Sequence, residues 1–471
     1  MFAPAFALAA ALQSPAPSPV PTGTSVPAAA IPSYRYLDDE ENWRSFCSPT
    51  NRPPGSQNDL KCITLANDPK RYVTLGADLR FKYEHFFNKD WNPSNSGYLL
   101  ERELLDADVH EDRVRGFLLL EHATATNQHA PVDATWRDDF ATSSAYLEYD
   151  LGGATGAAEP PIQLRYGRQL LAYGSERMID DRSGLNTLAA FGGFRARFAS
   201  PHWQTDVFVV RPVTVNAFGF DDTTDNTKSF TGAYATRRIG ANALDFYGFV
   251  DQRRSQSYYR GTGPEVRETL GVRYATSSPS FDSDTELDKQ FGSFGGATID
   301  SYAIEGNYGY DFGRNLNRFR LGAGGGIASG DHNLRSSRFS LFRAPYPTGL
   351  TFGIIEANGN ENTSGFTPNA SYTYDRRITV AVKDYFFYRQ SIADGVYSAP
   401  GFALRAPQGS HAAPLGSLGY VSVADALDRH VTLYSAYARY LIGQFFEQAP
   451  AAKGVPSRST AYYNLWFDYK I

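Results

Sequence analysis

Basic residues of a single parity recur in four separated stretches: Arg80 and Lys82 with Glu84, Arg113 and Arg115 with Glu121, Arg195 and Arg197, and Arg377, Lys383 and Arg389. Of the 45 lysines and arginines, 36 are arginine. A guanidinium is planar, permanently charged and carries a fork of donors that matches a carboxylate or phosphate edge to edge. Arginines repeated along one face could therefore take a ligand that carries many anionic groups. The formal net charge is −5, so any positive surface must be local, with acids gathered on loops such as Asp221-Asp222, Asp225 and Asp282–Asp288.

The elements that must present these side chains are strands. In Val73–Tyr83 the odd positions Val73, Leu75, Ala77, Leu79, Phe81 and Tyr83 are apolar, while Asp78, Arg80, Lys82 and Glu84 fall on the other face. That period of two is the signature of a two-faced strand. The chain ends the same way, with Ala461, Tyr463, Leu465, Phe467, Tyr469 and Ile471 against Asn464, Asp468 and Lys470. Similar alternation runs through 104–109, 114–124, 145–151, 162–166, 194–198, 266–274, 319–323 and 378–388, and no amphipathic helix of ordinary length follows residue 70. A soluble propeller would show a repeat of about 40 residues, and none is present. The charged faces are too polar for a packed core, where unpaired charge is costly, and they suit a water-filled lumen. The expectation is an all-β fold: a single transmembrane antiparallel β-barrel over 71–471, with 18 strands, short periplasmic turns and long extracellular loops.

Ahead of the barrel, 1–13 reads as the latter part of a signal peptide and 14–33 as a proline-rich linker. Residues 34–70 form an entry segment. The chain's two cysteines, Cys47 and Cys62, read as a disulfide closing a short loop, worth about 3 kcal/mol by the chain-entropy estimate. Two thiols without a nearby histidine do not suit zinc.

Several segments, in order, resemble the alginate export family of outer-membrane porins: Tyr36-Leu-Asp-Asp-Glu-Glu-Asn-Trp43, Leu60-Lys-Cys-Ile-Thr-Leu65, Leu75-Gly-Ala-Asp-Leu-Arg80, Leu164-Arg-Tyr-Gly-Arg-Gln-Leu170, Tyr173–Arg182, Gly330-Asp331, 339–353, Phe387-Tyr-Arg-Gln-Ser391 with Asp394-Gly-Val-Tyr397, and Gly443-Gln-Phe-Phe446. The resemblance implies a monomeric barrel in the Gram-negative outer membrane, passing an anionic polysaccharide outward through an arginine-lined constriction, with periplasmic proteins delivering the polymer. It implies pore-lining roles for Arg80, Arg165, Arg168, Arg389 and Arg439, with Arg102, Arg115, Arg182 and Lys61 as further members. The plainer reading of each arginine is a wall ion pair, and Glu84, Asp106, Glu121, Glu148 and Asp180 are available partners.

Two other functions fit such a chain. One is a porin of the same scaffold for small anions, sugars or aromatics, with Tyr146 and Tyr385 as stacking surfaces. The other is a soluble or surface carbohydrate-binding β-protein. No cofactor, metal or catalytic site is expected. The glycine run Gly322–Gly330 lacks the strand–helix context of a nucleotide loop and reads as a crowded barrel strand. His110, His122 and His129 do not cluster as zinc ligands.

Overall fold

The computed structural model describes residues 32, 34–66, 68–127, 135–152, 161–313, 316–348, 353–355, 357–451 and 454–471. The signal and linker spans, apart from Pro32, lie outside the described residues, as do His129 and 349–352.

Among the described residues, eighteen long strands form the wall. They are β1 (Asp68–Phe87), β2 (Asn95–Glu111), β3 (Val114–Thr126), β4 (Asp138–Leu151), β5 (Ile162–Leu170), β6 (Ala190–Ala199), β7 (Trp203–Thr214), β8 (Lys228–Ile239) and β9 (Asn242–Tyr258). They continue as β10 (Gly261–Ser277), β11 (Phe281–Phe294), β12 (Ala297–Phe312), β13 (Arg318–Ala328), β14 (Thr363–Tyr374), β15 (Ile378–Arg389), β16 (Pro414–Ala426), β17 (Val431–Ile442) and β18 (Thr460–Lys470). Each pairs antiparallel with its neighbour in sequence, and β18 returns to β1 with Arg80 opposite Asp468 and Phe81 opposite Phe467. That pairing closes the barrel as expected, so no strand edge is left without hydrogen-bond partners in the hydrocarbon.

The two faces sort as the alternation requires. Outward side chains stand exposed around the barrel, Leu465 at 60% and Tyr166 at 73% among them, which is the surface that lipid covers. Inward side chains are enclosed, including Arg80, Lys82 and Glu84 on β1 and Tyr462, Asn464 and Trp466 on β18. The glycine strand β13 is crowded by its neighbours. A Cβ at Gly322 would lie 2.5 Å from Asn369 Oδ1 and one at Gly326 2.7 Å from the Ile304 carbonyl.

One acidic segment is placed differently from its sequence reading. Asp282–Asp288 is not an outer loop but part of β11, with Asp284, Glu286 and Asp288 turned inward. Aspartate and glutamate at alternate positions obey the same period-two rule as apolar residues.

The barrel's ends differ. The end bearing Ile471, whose amide donates to the Ala77 carbonyl, has tight turns such as 112–113 and 240–241. At the other end 171–189, 329–362, 390–413 and 443–459 are long, and described residues of each fold back over the lumen. Arg343 from 329–362 reaches Asp251 and Glu265 on β9 and β10. Trp91 stacks on Phe446 at 4.0 Å, within an apolar cluster that includes Tyr385, Phe387, Tyr440 and Phe445. Before β1, the Cys47–Cys62 disulfide closes its loop, Ile63–Leu65 pairs on β1, and Tyr34, Trp43, Phe46 and Tyr72 pack around Cys62.

The outward face makes a prediction. Leu465→Arg should destabilise the folded barrel in vesicles by about 2–4 kcal/mol, whereas Leu427→Arg, on a turn, should cost about 0–1 kcal/mol. Urea titration followed by heat-modifiable gel mobility measures both.

Candidate functional site

Beside the entry segment the charged lumen wall is built by β1 to β7, where tight antiparallel pairing brings charged side chains of neighbouring strands together. Arg115 donates from Nε to Asp108 Oδ1 at 2.7 Å. Arg165 donates from Nε to Glu148 Oε2 at 2.8 Å and lies 3.7 Å from the Tyr146 ring centroid. Arg197 donates from Nε to Asp206 Oδ1 at 2.7 Å. In each case a wall carboxylate holds the Nε edge and fixes the plane of the fork.

The other donors of these arginines meet a segment that does not belong to the wall. The chain enters at Tyr34, whose hydroxyl is 3.2 Å from His430 on a turn, runs inward, and is back at the mouth by Trp43 and Phe46. On this excursion Arg165 Nη1 donates to the Asp39 carboxylate. Tyr146 donates to Asp39 Oδ2 at 3.0 Å, and Arg115 Nη2 to the Asp39 carbonyl at 2.6 Å. Arg197 Nη2 donates to Glu40 Oε1 at 3.2 Å. Lys470 bonds the Asp38 carboxylate and lies 3.1 Å from Glu41 Oε1. Burial alone would raise the Asp39 pKa, but the guanidinium groups of Arg165, Arg195 and Arg115 outweigh it and bring it from 3.8 to about 2.

The tip meets the inward-folded loop 171–189. The Tyr36 hydroxyl lies 2.7 Å from Asp180 Oδ1 and 2.8 Å from Asp181 Oδ1. One phenolic proton cannot serve two carboxylates at once. Burial raises both acids, and the adjacent Asp180 charge helps to push Asp181 to about 8. Among the described residues, no group of three His, Cys, Asp or Glu side chains is disposed to hold a metal ion.

Six of the nine basic residues singled out in the sequence fall into three sets. Arg115 and Arg165 line the lumen beside the entry segment. Lys61 belongs to its base, 3.9 Å from Glu41 and 5.0 Å from the Trp43 ring. Arg80 and Arg102 also face the lumen but grip loop 171–189, both through the Ser183 carbonyl, with Arg80 also on Asp468 at 2.9 Å. Arg182 lies in that loop at a positive φ of 60°.

Three assignments need correction. Arg439 shares parity with the exposed Tyr437 and Leu441 and points out of the barrel, because Ala438 and Tyr440 take the inward positions. Arg168 shares parity with Tyr166, also outward, and donates to the Thr142 carbonyl at 2.8 Å near Asp222 of loop 215–227. Arg389 faces inward but is enclosed, with its donors spent on the carbonyls of Ala412, Ile392, Asp394 and Ser410. It staples loop 390–413 rather than lining open space. Tyr146 and Tyr385 are likewise covered, each with 5% exposure or less.

Open space remains elsewhere. A cavity of about 140 Å³ lies between Glu40, Tyr173, Arg197, Asp206 and Tyr234. A second of about 160 Å³ shares Glu40 and Ala172–Gly174 with it and reaches Tyr36 and Glu176. Tyr173 and Tyr234 stack at 4.8 Å beside this space, and Tyr234 stacks on Tyr247 at 5.2 Å. Further round the wall, Arg177 meets Asp284, Glu286 and Glu305, and Arg273 meets Asp245 and Asp284. The roles of Arg177, Tyr173 and Tyr234 were not foreseen. Arg177 lies inside the quoted 173–182 stretch, but nothing local says that a loop will fold inward.

The chain matches a family model described as Alginate export over residues 71–456. No curated protein matches it. Among solved structures it resembles OccAB3 of Acinetobacter baumannii, at 10% identity, TM-score 0.58, covering 85% of this chain and 99% of that one. It also resembles OpdK of Pseudomonas aeruginosa, solved with vanillate, at 13% identity, TM-score 0.54, covering 85% and 98%. A third is OccD3 (OpdP) of the same organism, at 10% identity, TM-score 0.53, covering 87% and 93%. At these identities the likeness is one of fold.

The docked Asp39 makes a pH prediction. Its pKa is depressed in the folded protein, so the stabilisation it gives to the excursion is complete above about pH 4 and is lost as pH falls through about 2. Amide exchange at residues 36–41 should therefore stay slow at pH 4. Asp39→Asn should loosen this segment by about 2 kcal/mol at neutral pH, with the barrel still assembled.

Proposed function

The chain belongs to the alginate export family, an outer-membrane channel by fold and kinship, and we propose that the solute it passes is an anionic polysaccharide of the polyuronate type. A polyuronate carries one carboxylate per sugar. The observation that carries the reading is that Arg165 and Arg197, each oriented by a wall acid, reach into the lumen and hold carboxylates from outside the wall, while Arg115 beside them holds the Asp39 carbonyl. Transport needs attraction strong enough to admit a chain yet divided over several weak sites so that it leaves, and arginines on β3, β5 and β6 supply that division. Passage is passive, and delivery proteins in the periplasm would present the polymer at the turn-bearing end.

A second reading, a porin for small anions, sugars or aromatics, draws on Tyr173 and Tyr234 beside the open cavity and on the fold shared with OpdK, whose structure contains vanillate.

Single-channel recording in planar bilayers separates the two. Short polyuronate chains should interrupt the current at concentrations where neutral oligosaccharides do not. Arg197→Ala should weaken that block and Arg439→Ala should leave it unchanged. Equal block by neutral sugars would favour the second reading, and no response to polyuronate would sink the first.

A further inference from the structure

The excursion presents four consecutive acids, Asp38, Asp39, Glu40 and Glu41, and distributes them over three cations of the channel, Lys470 for Asp38 and Glu41, Arg165 for Asp39 and Arg197 for Glu40, with Lys61 of its own base 3.9 Å from Glu41. Such spacing, one carboxylate per chain unit against a row of fixed cations, is the chemistry by which a carboxylate polymer would bind. The donors used are those left over from the wall. Arg165 turns its Nε edge to Glu148 and Nη1 to Asp39, and Arg197 turns its Nε edge to Asp206 while Nη2 reaches Glu40. The wall acids thus orient each fork and leave one donor free for exchangeable carboxylates.

The segment is built to be exchanged. Residues 36–41 form no rung of the barrel ladder, so withdrawing them leaves the strand pairing intact and gives up the side-chain bonds to the acids and the packing of Leu37 against Leu104, Phe117 and Tyr146. Its base is fixed on one side by the Cys47–Cys62 disulfide and on both by the cluster of Tyr34, Trp43, Phe46 and Tyr72, so a released tip stays at the mouth. The Arg197–Glu40 and Lys470–Asp38 pairs reach water, where ion pairs are individually weak and fall with salt, and the buried Asp39–Arg165 pair is the firmest contact. A tethered ligand nevertheless holds its site through a high effective concentration, on the order of millimolar for a short tether.

We propose that Asp38–Glu41 is a tethered stand-in for the transported polyanion: it occupies a carboxylate-binding track formed by Arg165, Arg197 and Lys470, with Arg115 holding its backbone, narrows the resting channel, and is displaced when a carboxylate polymer enters. This rests on the channel reading above and adds an occupant to the same site.

The test compares the full chain with D38N/D39N/E40Q/E41Q in planar bilayers, after heat-modifiable mobility shows that both barrels are assembled. The neutralised channel should conduct more current, favour anions more strongly, and be blocked by polyuronate at a concentration at least tenfold lower, because the internal competitor is gone. A synthetic peptide of residues 34–43 added to that variant should restore the narrow state, and the same peptide with amides at the four positions should not. Conductance and block indistinguishable from the unmodified chain would overturn the inference. If the quadruple variant does not assemble, Glu40→Gln alone, which removes only the contact with Arg197, should change conductance in the same direction, and no change would overturn it equally. Block by the acidic peptide without block by polyuronate would leave the tethered occupant standing and remove polyuronate as the solute.

Discussion

Everything in this protein depends on the pairing of β18 with β1. In hydrocarbon an open strand edge would leave a row of peptide groups without water and without partners, at several kcal/mol each. The register that closes the circle, with Arg80 against Asp468 and Phe81 against Phe467, also settles which face of every other strand meets lipid. Strand parity propagates around the wall through each hydrogen-bonded neighbour. The position of a given arginine in the lumen or in lipid is therefore decided by the closed ladder as a whole.

Closure sets a second constraint, on charge. The wall brings arginines and acids into a narrow space, where a charge stripped of water is tolerated only if it is paired. Accordingly, Arg115 with Asp108, Arg165 with Glu148, Arg197 with Asp206 and Arg273 with Asp284 form pairs within the wall. A guanidinium has more donors than one carboxylate can take. The surplus donors of Arg165 and Arg197 are those that the Asp39 and Glu40 carboxylates take. A net charge of −5 is compatible with such donors because they are set by local pairing rather than by the charge of the whole chain.

The barrel itself was legible in the sequence. Period-two alternation in Val73–Tyr83 and in the last strand carries enough information to assign both faces, chain length was enough to expect about 16 to 18 strands, and the family resemblance favoured eighteen. Site residues were less legible where the identity of a side chain was taken without its parity. Arg439 sits between Ala438 and Tyr440, which take the inward positions, so it had to point outward. Arg168 follows Tyr166 on the outer face. Arg389 has the inward parity, and its enclosure comes from loop 390–413, a contact no local pattern encodes. The acidic run Asp282–Asp288 shows the reverse error: its alternation was present, but acidity suggested a loop.

The entry segment shows why a long-range electrostatic site escapes a strand-by-strand reading. Asp38–Glu41 looks like a solvated acidic turn when read alone, and Arg165 and Arg197 look like wall residues. Only the tertiary path, from Tyr34 at the mouth inward to Asp180 and out again to Trp43, brings the two together. Burial of Asp39 without partners would raise its pKa; Arg165, Arg195 and Arg115 reverse that, so the carboxylate stays ionised and its attraction to the wall persists throughout the neutral range. A lumen that can keep one carboxylate charged in this way has the electrostatic means to accept another in its place.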